Sequence, residues 1–169
     1  MQHHIGYIVN YYLDNHFIIL YYNNGKSLTV NFDNNTGKPV KRKKTNTLTG
    51  VWHTGLWLGT ASDGTGIIAH NHYLVGRPSV ATSAQFAQQM PIYWDERVCN
   101  QSIFNRIDAA MRQIIAGKKY NVTNYNCQHY VNIACIRKQK SESIDNFTAG
   151  LGVAASVLLL VGLVGAISR

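Results

Sequence analysis

The chain has 169 residues, of which 46% are hydrophobic and only 14% are charged. This length and composition suit one folded domain with its own core, and they exclude a wholly disordered chain. The formal net charge of +8 suits three kinds of surroundings: an anionic membrane surface, nucleic acid, or solvent alone. No common nucleic-acid-binding motif occurs in the sequence, so we expect no nucleic-acid partner.

The N-terminal part of the chain has the composition of antiparallel strands followed by a basic loop. Its apolar runs are rich in Tyr, Ile, Val and Phe, and Asn23-Asn24-Gly25 interrupts them with a hairpin signal. These runs predict strands near residues 5–13, 16–22 and 27–32. Residues 33–50 hold Gly, Pro, Asn, Thr and a lysine-rich cluster without periodicity, which predicts a loop. We expect residues 1–40 to form a strand-rich extension.

Two histidine-bearing segments predict a second hairpin. Residues 51–59 and 66–71 combine aromatic and branched side chains with glycine breaks, and a turn over residues 60–65 separates them. Beyond this hairpin, the sequence predicts a short helix around residues 83–89 and a short strand at residues 91–94.

Two longer helices are predicted further along the chain. Residues 100–116 place apolar side chains at helical spacing, and Gly117 suits the C-terminal end of that helix. Residues 126–137 indicate another helix, with Asn126 placed to cap its start.

The C-terminal region has the signature of a membrane anchor. Residues 147–167 contain no charged side chain, and a helix of that length spans the hydrocarbon core of a bilayer. A buried core helix is the alternative. We expect a single-pass anchor, with the preceding domain on the cytoplasmic side, because basic residues before a span usually face that leaflet.

The cysteines predict no disulfide framework. Only Cys99, Cys127 and Cys135 are present, and their spacing matches neither a CxxC motif nor a zinc ribbon. We therefore expect a reducing compartment. Cys135 lies two helical turns beyond Cys127 and is expected in the core rather than as a redox partner.

Cys127 and His53 are the strongest candidates for a nucleophile and its base. Cys127 is expected in the first turn of a helix, where the helix dipole and free N–H groups favour the thiolate. His53 begins a predicted strand and could accept the thiol proton. Each residue taken alone is compatible with a purely structural role, since free cysteines are commonly buried.

Three further histidines compete for a place in this site. His70 ends the partner strand of the hairpin and could orient His53 as the third member of a triad. His72 would share a strand face with His70, but we expect it to lie past the strand end. His129 follows Cys127 by two helical residues and should face away from it. A metal site formed by His53, His70, His72 and Cys127 is a further alternative, although we expect no metal or other cofactor.

Two boxes in the sequence resemble those of the lecithin retinol acyltransferase family, which includes the phospholipase A/acyltransferases. Residues 126–131 read Asn-Cys-Gln-His-Tyr-Val, similar to the Asn-Cys-Glu-His-Phe-Val box of that family. Residues 53–59 resemble its first histidine box, and residues 66–70 resemble its second histidine strand. The order histidine, histidine, cysteine also fits the family.

This resemblance implies an α+β fold, a circularly permuted papain-like antiparallel sheet packed on helices, with the catalytic domain over residues 41–145. It implies Cys127 as nucleophile, His53 as base and His70 as third member. The expected function is a membrane-anchored thiol acyltransferase or phospholipase A that acts on glycerophospholipids in a phospholipid membrane. An amide hydrolase of the same fold and a non-catalytic membrane adaptor remain alternatives.

Overall fold

The computed structural model describes residues 7–44 and 51–138. Over these ranges the chain forms an α+β fold, in which an antiparallel sheet packs against a small number of helices. The strands are β1 (Ile8–Leu13), β2 (Phe17–Tyr22), β3 (Ser27–Asn31), β4 (Pro39–Lys43), β5 (Trp52–Ala61), β6 (Gly66–His72), β7 (Arg77–Thr82) and β8 (Tyr93–Trp94). The helices are α1 (Ser83–Ala87), α2 (Ile103–Ala116) and α3 (Cys127–Ile136).

Strand β5 is the centre of the sheet. On one side it pairs with β4 along its first half and with β3 at its end, while β6 pairs along its other side. The sheet continues from β3 through β2 to β1, from β4 to β8, and from β6 to β7. The N-terminal strands β1–β3 therefore belong to the same sheet as the histidine hairpin β5–β6.

The two faces of this sheet are covered by different helices. Because side chains alternate along a strand, Leu56 and Ala69 point to one face, where they join the main core with Tyr130 and Val131 of α3. Ile68 points to the opposite face and packs with Phe86 of α1. We call these the α3 face and the α1 face.

Gly59 allows β3 to approach the central strand. Its φ of +134° is a conformation that side chains rarely adopt, and a Cβ atom there would collide with the backbone oxygen of Asn31. The register between β5 and β6 also shifts between Trp57 and Gly59. This irregularity lets the end of β5 pair with β3 and β6 at the same time.

Most of the predicted elements are confirmed, with small shifts at their ends. The hairpin β5–β6 forms as expected, and α2 ends at Gly117, whose φ of 61° is the left-handed conformation of a helix terminus. The prediction of an unbroken loop over residues 33–50 is wrong, because β4 lies within it. Strand β7 was not foreseen. In both strands, polar or proline residues break the apolar alternation by which strands are recognised.

The expectation of no disulfide is also wrong. Cys99 and Cys135 form one, and their Cα atoms lie 4.4 Å apart. Cys135 is fully buried on α3, as its helical position predicted. Cysteine number and spacing could not reveal the pair, because 36 residues separate the two positions and only the fold brings them together.

The C-terminal segment of residues 147–167 lies outside the described ranges. Among the helices of residues 7–44 and 51–138, none is long and apolar enough to cross a membrane.

Reducing the disulfide should destabilise the fold. Closing a loop of this length constrains the unfolded chain by about 4 kcal/mol in the chain-entropy model, and about 2–4 kcal/mol is commonly observed. We expect dithiothreitol to lower the free energy of unfolding by that amount in urea titrations. Cys99→Ala should give a similar loss and remove the sensitivity to reductant, whereas Cys127→Ala should keep that sensitivity. Equal stability with and without reductant would contradict this assignment.

Candidate active site

Cys127 occupies the position expected of an activated thiol at the start of a helix. It is the first residue of α3, is not in a disulfide, and is only 3% exposed. The preceding Asn126 is extended, and its side-chain oxygen accepts hydrogen bonds from the backbone N–H groups of Gln128 and His129 at 2.9 and 3.2 Å. The predicted cap is therefore confirmed, and Cys127 stands at the end of the helix toward which its backbone N–H groups point.

His129 has a defined role at the same helix start. Its Nδ1 atom accepts a hydrogen bond of 3.1 Å from the backbone N–H of Asn126. Together with the bond in the opposite direction, this contact closes a capping box. The contact assigns His129 to the geometry of the helix terminus.

His53, His70 and His72 form a buried cluster on the α1 face. His53 Nε2 lies 2.9 Å from His70 Nδ1, which is hydrogen-bonding distance. The ring of His72 is centred 4.9 Å from that of His53, nearly perpendicular to it. The prediction that His72 lies past the strand end is wrong, because β6 continues through it. His70 and His72 flank Asn71 and do share a face, as predicted.

These histidines are held neutral at pH 7. Burial lowers the pKa of His53 well below its ordinary value, and its titratable neighbours His70 and His72 and the charge of Arg42 act in the same direction. Burial, with the neighbouring His72 and Arg42, lowers the pKa of His70 to about 3. Burial and the charges of Arg42 and Lys44 lower that of His72 to about 4. A neutral imidazole is the form that can accept a proton.

The hydrogen bond between two neutral rings defines which tautomer can act as a base. If His53 donates its Nε2–H to His70 Nδ1, then His53 Nδ1 carries a free lone pair. In this tautomer His70 would also accept the hydrogen bond of a protonated His53 and so stabilise the imidazolium. The opposite tautomer would occupy both nitrogen atoms of His53.

Arg42 brings an unneutralised positive charge into this region. It pairs with His53 across β4 and β5 and is only 2% exposed. Its guanidinium donates to the carbonyl oxygen atoms of Phe86 and Lys43 and to the Gln88 side-chain oxygen, all of which are neutral acceptors. Neither of the ion pairs within residues 7–44 and 51–138 includes Arg42.

The charge of Arg42 also acts on Cys127. Burial lowers the pKa of Arg42, while the thiolate of Cys127 acts to raise it, so the two groups lie within electrostatic range. Sequence reasoning missed this residue, because it stands in the lysine-rich segment that was predicted to be a loop. Its burial becomes visible only in the sheet, where Val40 and Arg42 of β4 are buried while Lys41 and Lys43 are not.

The structure brings Cys127 and the histidines to the same end of the sheet. The side-chain amide of Asn71, between His70 and His72, donates a 2.8 Å hydrogen bond to the backbone oxygen of Tyr125, two residues before Cys127. The body of α3 packs on the opposite face from the imidazole rings. No hydrogen bond of the described residues joins Cys127 Sγ to His53.

A metal site and a cavity near the histidine cluster would be two further signs of function. Within residues 7–44 and 51–138, no group of three or more His, Cys, Asp or Glu side chains is arranged to hold a metal ion. A surface cavity of about 500 Å³ lies between the start of α2 and the residues after β3, lined in part by Phe32, Thr36 and Phe104. It shares no residue with the histidine cluster, so the chemistry of the side chains identifies the candidate site better than the cavity does.

Comparison with known proteins gives no relative. No protein-family model matches the chain, and no curated protein or solved structure is significantly similar to it.

Acidification should weaken the fold through the histidine cluster. The unfolded chain binds protons at histidines below about pH 6.5, whereas the folded chain resists protonation until about pH 4 at His72 and about pH 3 at His70. Stability is therefore fully present above pH 6.5 and lost as the pH falls, with a slope of up to about 1.4 kcal/mol per pH unit for each such histidine. Urea titrations between pH 7 and pH 5 measure this slope of the free energy of unfolding.

A pair of variants separates this effect from general acid sensitivity. His72→Asn should make the slope shallower, because it removes one depressed group. His16→Asn changes an exposed histidine in the turn between β1 and β2 and should leave the slope unchanged. Identical slopes for both variants would show that the cluster does not control the acid sensitivity.

Removing the charge of Arg42 should slow the reaction of Cys127 with iodoacetamide. The thiolate is the form of a cysteine that iodoacetamide alkylates, and a nearby positive charge favours an anion. We therefore expect Arg42→Gln to react more slowly than the native chain at pH 7. The matched control is Arg106→Gln, since Arg106 also donates to backbone oxygen atoms, those of Gln101 and Gly37. Similar rates in both variants, with native near-ultraviolet circular dichroism, would refute the electrostatic role.

Proposed function

We propose that this chain is a thiol-dependent acyl-transfer enzyme of the permuted papain-like kind, similar to the lecithin retinol acyltransferase family, which acts on ester bonds of glycerophospholipids. The observation that carries the proposal is the buried 2.9 Å contact between His53 and His70 at the sheet end that also holds Cys127. A neutral base, a residue that orients it and a thiol at a helix start are the parts that covalent acyl transfer needs.

In the proposed first half-reaction, His53 Nδ1 accepts the proton of Cys127, and the thiolate attacks the carbonyl carbon of a lipid ester. A C–S bond forms and the ester C–O bond breaks. His53 returns its proton to the departing alkoxide, so lysolipid leaves and the acyl group stays on sulfur as a thioester. His70 accepts the Nε2–H of His53 throughout this step.

In the second half-reaction, the same base activates the acyl acceptor. His53 takes a proton from water, an amine or a hydroxyl group, which then attacks the thioester. The C–S bond breaks and the proton returns to the Cys127 sulfur. Water gives net phospholipase A activity, whereas an amine or alcohol gives acyl transfer.

Arg42 supplies the positive charge that this arrangement needs. Burial, followed by the two neighbouring histidines and Arg42, disfavours a charged His53 imidazole, so a lasting imidazolium–thiolate pair would be unfavourable here. The guanidinium stays charged under all relevant conditions and is buried beside the histidines. It would therefore stabilise the negative charge that develops on the Cys127 sulfur when His53 accepts the thiol proton.

The predicted span of residues 147–167 would hold this site against its substrate. Glycerophospholipids are insoluble, and an anchored domain meets them at the membrane surface. We therefore propose a single-pass membrane protein whose catalytic domain lies against the bilayer surface. The Cys99–Cys135 disulfide favours an oxidising compartment for this domain over the reducing cytoplasmic side that the cysteine count led us to expect.

A non-catalytic membrane adaptor is the second candidate, and one observation favours it. Cys127 and His53 are each only 3% exposed, and no hydrogen bond of the described residues connects them. A substrate would have to displace part of the surrounding structure to reach the sulfur. A fold that retains this cluster without turnover would need no such movement.

Incubation with lipid distinguishes the two candidates. The full chain is mixed with vesicles of phosphatidylcholine and phosphatidylethanolamine, and both the lipids and the intact protein are analysed by mass spectrometry. We expect lysolipid or N-acyl lipid, together with an acyl mass on the protein that is absent from Cys127→Ala. His53→Gln should lower the rate at least about 100-fold, whereas His16→Gln should not change it.

The opposite result is equally informative. Unchanged lipids and no acyl mass, from protein with native circular dichroism and the native disulfide, would refute the enzyme and favour the adaptor.

A further inference from the structure

A strongly apolar turn projects from the sheet end beside the candidate site. Tyr73, Leu74 and Val75 follow His72 directly and are 57%, 70% and 48% exposed. The turn is held by hydrogen bonds to His72, whose backbone oxygen accepts from the N–H groups of Val75 and Gly76 and whose Nδ1 accepts from that of Leu74. The apolar side chains are therefore displayed on a fixed backbone.

A cluster of aromatic rings and lysines lies at the same sheet end. The rings of Trp52 and Tyr93 are 5.9 Å apart at 88° to each other. The ammonium groups of Lys41 and Lys43 lie 5.3 and 6.0 Å from the centre of the Trp52 ring. This cluster combines cations with large amphipathic side chains.

Strand register places the turn and the cluster side by side. Lys43, at the end of β4, pairs with Trp52 at the start of β5. His53, the next residue, contacts His72 at the end of β6, from which the apolar turn continues. Both features therefore border the candidate site. We call them together the site rim, defined as Lys41, Lys43, Trp52, Tyr93 and residues 73–75.

We propose that the site rim docks onto the surface of an anionic lipid bilayer. The apolar turn enters the boundary between headgroups and acyl chains, while the Trp52 and Tyr93 rings and the two lysines lie at headgroup level. The inference deepens the proposed function and rests on it for the choice of a lipid partner, since docking in this way presents the end of the sheet with Cys127 to the bilayer.

The chemistry of the rim matches both layers of such a surface. Exposed Leu and Val side chains gain from leaving water, and a bilayer offers them an apolar medium. Tyr and Trp suit the interface because each has an apolar body and a polar tip, and lysine can bury its stem while its ammonium meets lipid phosphate. The net charge of +8 favours anionic over neutral lipid.

The acidic residues nearby do not cancel this charge. Asp95 follows β8 and forms an ion pair with Arg97. Glu96 is exposed and adds one negative charge. The segment of residues 38–44, which includes β4, carries four lysines at positions 38, 41, 43 and 44. These lysines outnumber the single exposed acid, Glu96.

The same features disfavour nucleic acid. Single strands bind to open ring faces on which bases can stack, whereas here the two rings meet edge to face and lysines lie over Trp52. Protein–nucleic acid interfaces are also polar, so Leu74 and Val75 would find no favourable contact there.

Quenching of a site-specific fluorophore by brominated lipid tests this docking. In the Cys127→Ala background, Leu74→Cys provides the only free thiol, because the chain has three cysteines and the other two form the disulfide. The full chain carrying an environment-sensitive label there is mixed with brominated phosphatidylcholine, with or without phosphatidylserine. We expect quenching of at least about twofold with phosphatidylserine and less without it.

Matched controls isolate the rim. A label at Val9→Cys, an exposed apolar position on the outer strand β1, should remain unquenched. The double variant Lys41→Glu/Lys43→Glu should remove more than half of the quenching at position 74, whereas Lys26→Glu, in the turn between β2 and β3, should leave it unchanged. The signal depends on the depth of residue 74, so it remains informative when the C-terminal segment alone holds the chain to the vesicle.

Three results would overturn the inference. The first is the absence of quenching at position 74, and the second is equal quenching at positions 9 and 74. The third is binding of a single-stranded RNA that depends on Lys41 and Lys43 while position 74 stays unquenched. The docking proposal and the enzyme proposal are tested independently of each other.

Quenching in Cys127→Ala without any acyl adduct on the native chain refutes the enzyme alone. An adduct from a soluble ester without quenching at position 74 refutes the docking alone.

Discussion

The buried positive charge of Arg42 is the constraint on which the rest of the candidate site depends. A guanidinium that is removed from water and bonded only to neutral oxygen atoms imposes a positive potential on its surroundings. His53 lies opposite it across the strand pair and cannot hold a second positive charge at low cost. Burial and the neighbouring histidines lower the pKa of His53 in the same direction, and the charge of Arg42 also lies within electrostatic range of Cys127.

The hairpin β5–β6 brings the histidines of the candidate site together. Antiparallel pairing sets His53, His70 and His72 on one face, and the absence of a side chain at Gly55 leaves room for the packing beneath them. A Cβ atom at Gly55 would lie 2.7 Å from the Ile68 side chain and 2.9 Å from that of Phe86. The histidine contacts therefore depend on close packing as much as on polar bonds, and this packing excludes the water that would otherwise screen Arg42.

The sequence predicts the parts of this protein whose signals are local. Asn126 as a helix cap, Gly117 as a helix end and the hairpin that holds His53 and His70 could all be identified, because capping and strand alternation involve residues close in the chain. The Cys99–Cys135 disulfide could not, since its two cysteines are far apart in the sequence. Strand β4 was hidden because proline and basic residues interrupt its apolar pattern. Arg42 was hidden with it, since its burial is a property of the sheet while its neighbours in the chain are lysines that are not buried. The position of Cys127 relative to His53 could not be predicted either, because it depends on how α3 packs against the sheet.

The disulfide at the far end of α3 affects how the sulfur atoms of this chain can react with one another. Cys127 begins the helix and Cys135 lies eight residues later, about 12 Å away along the axis. Thiolate attack on a disulfide requires the sulfur atoms to meet, and cysteines whose Cα atoms are more than about 7 Å apart cannot bond without backbone movement. The rigid helix therefore prevents thiol–disulfide exchange within the folded chain. The free thiol at one end of α3 and the disulfide at its other end can therefore persist without scrambling.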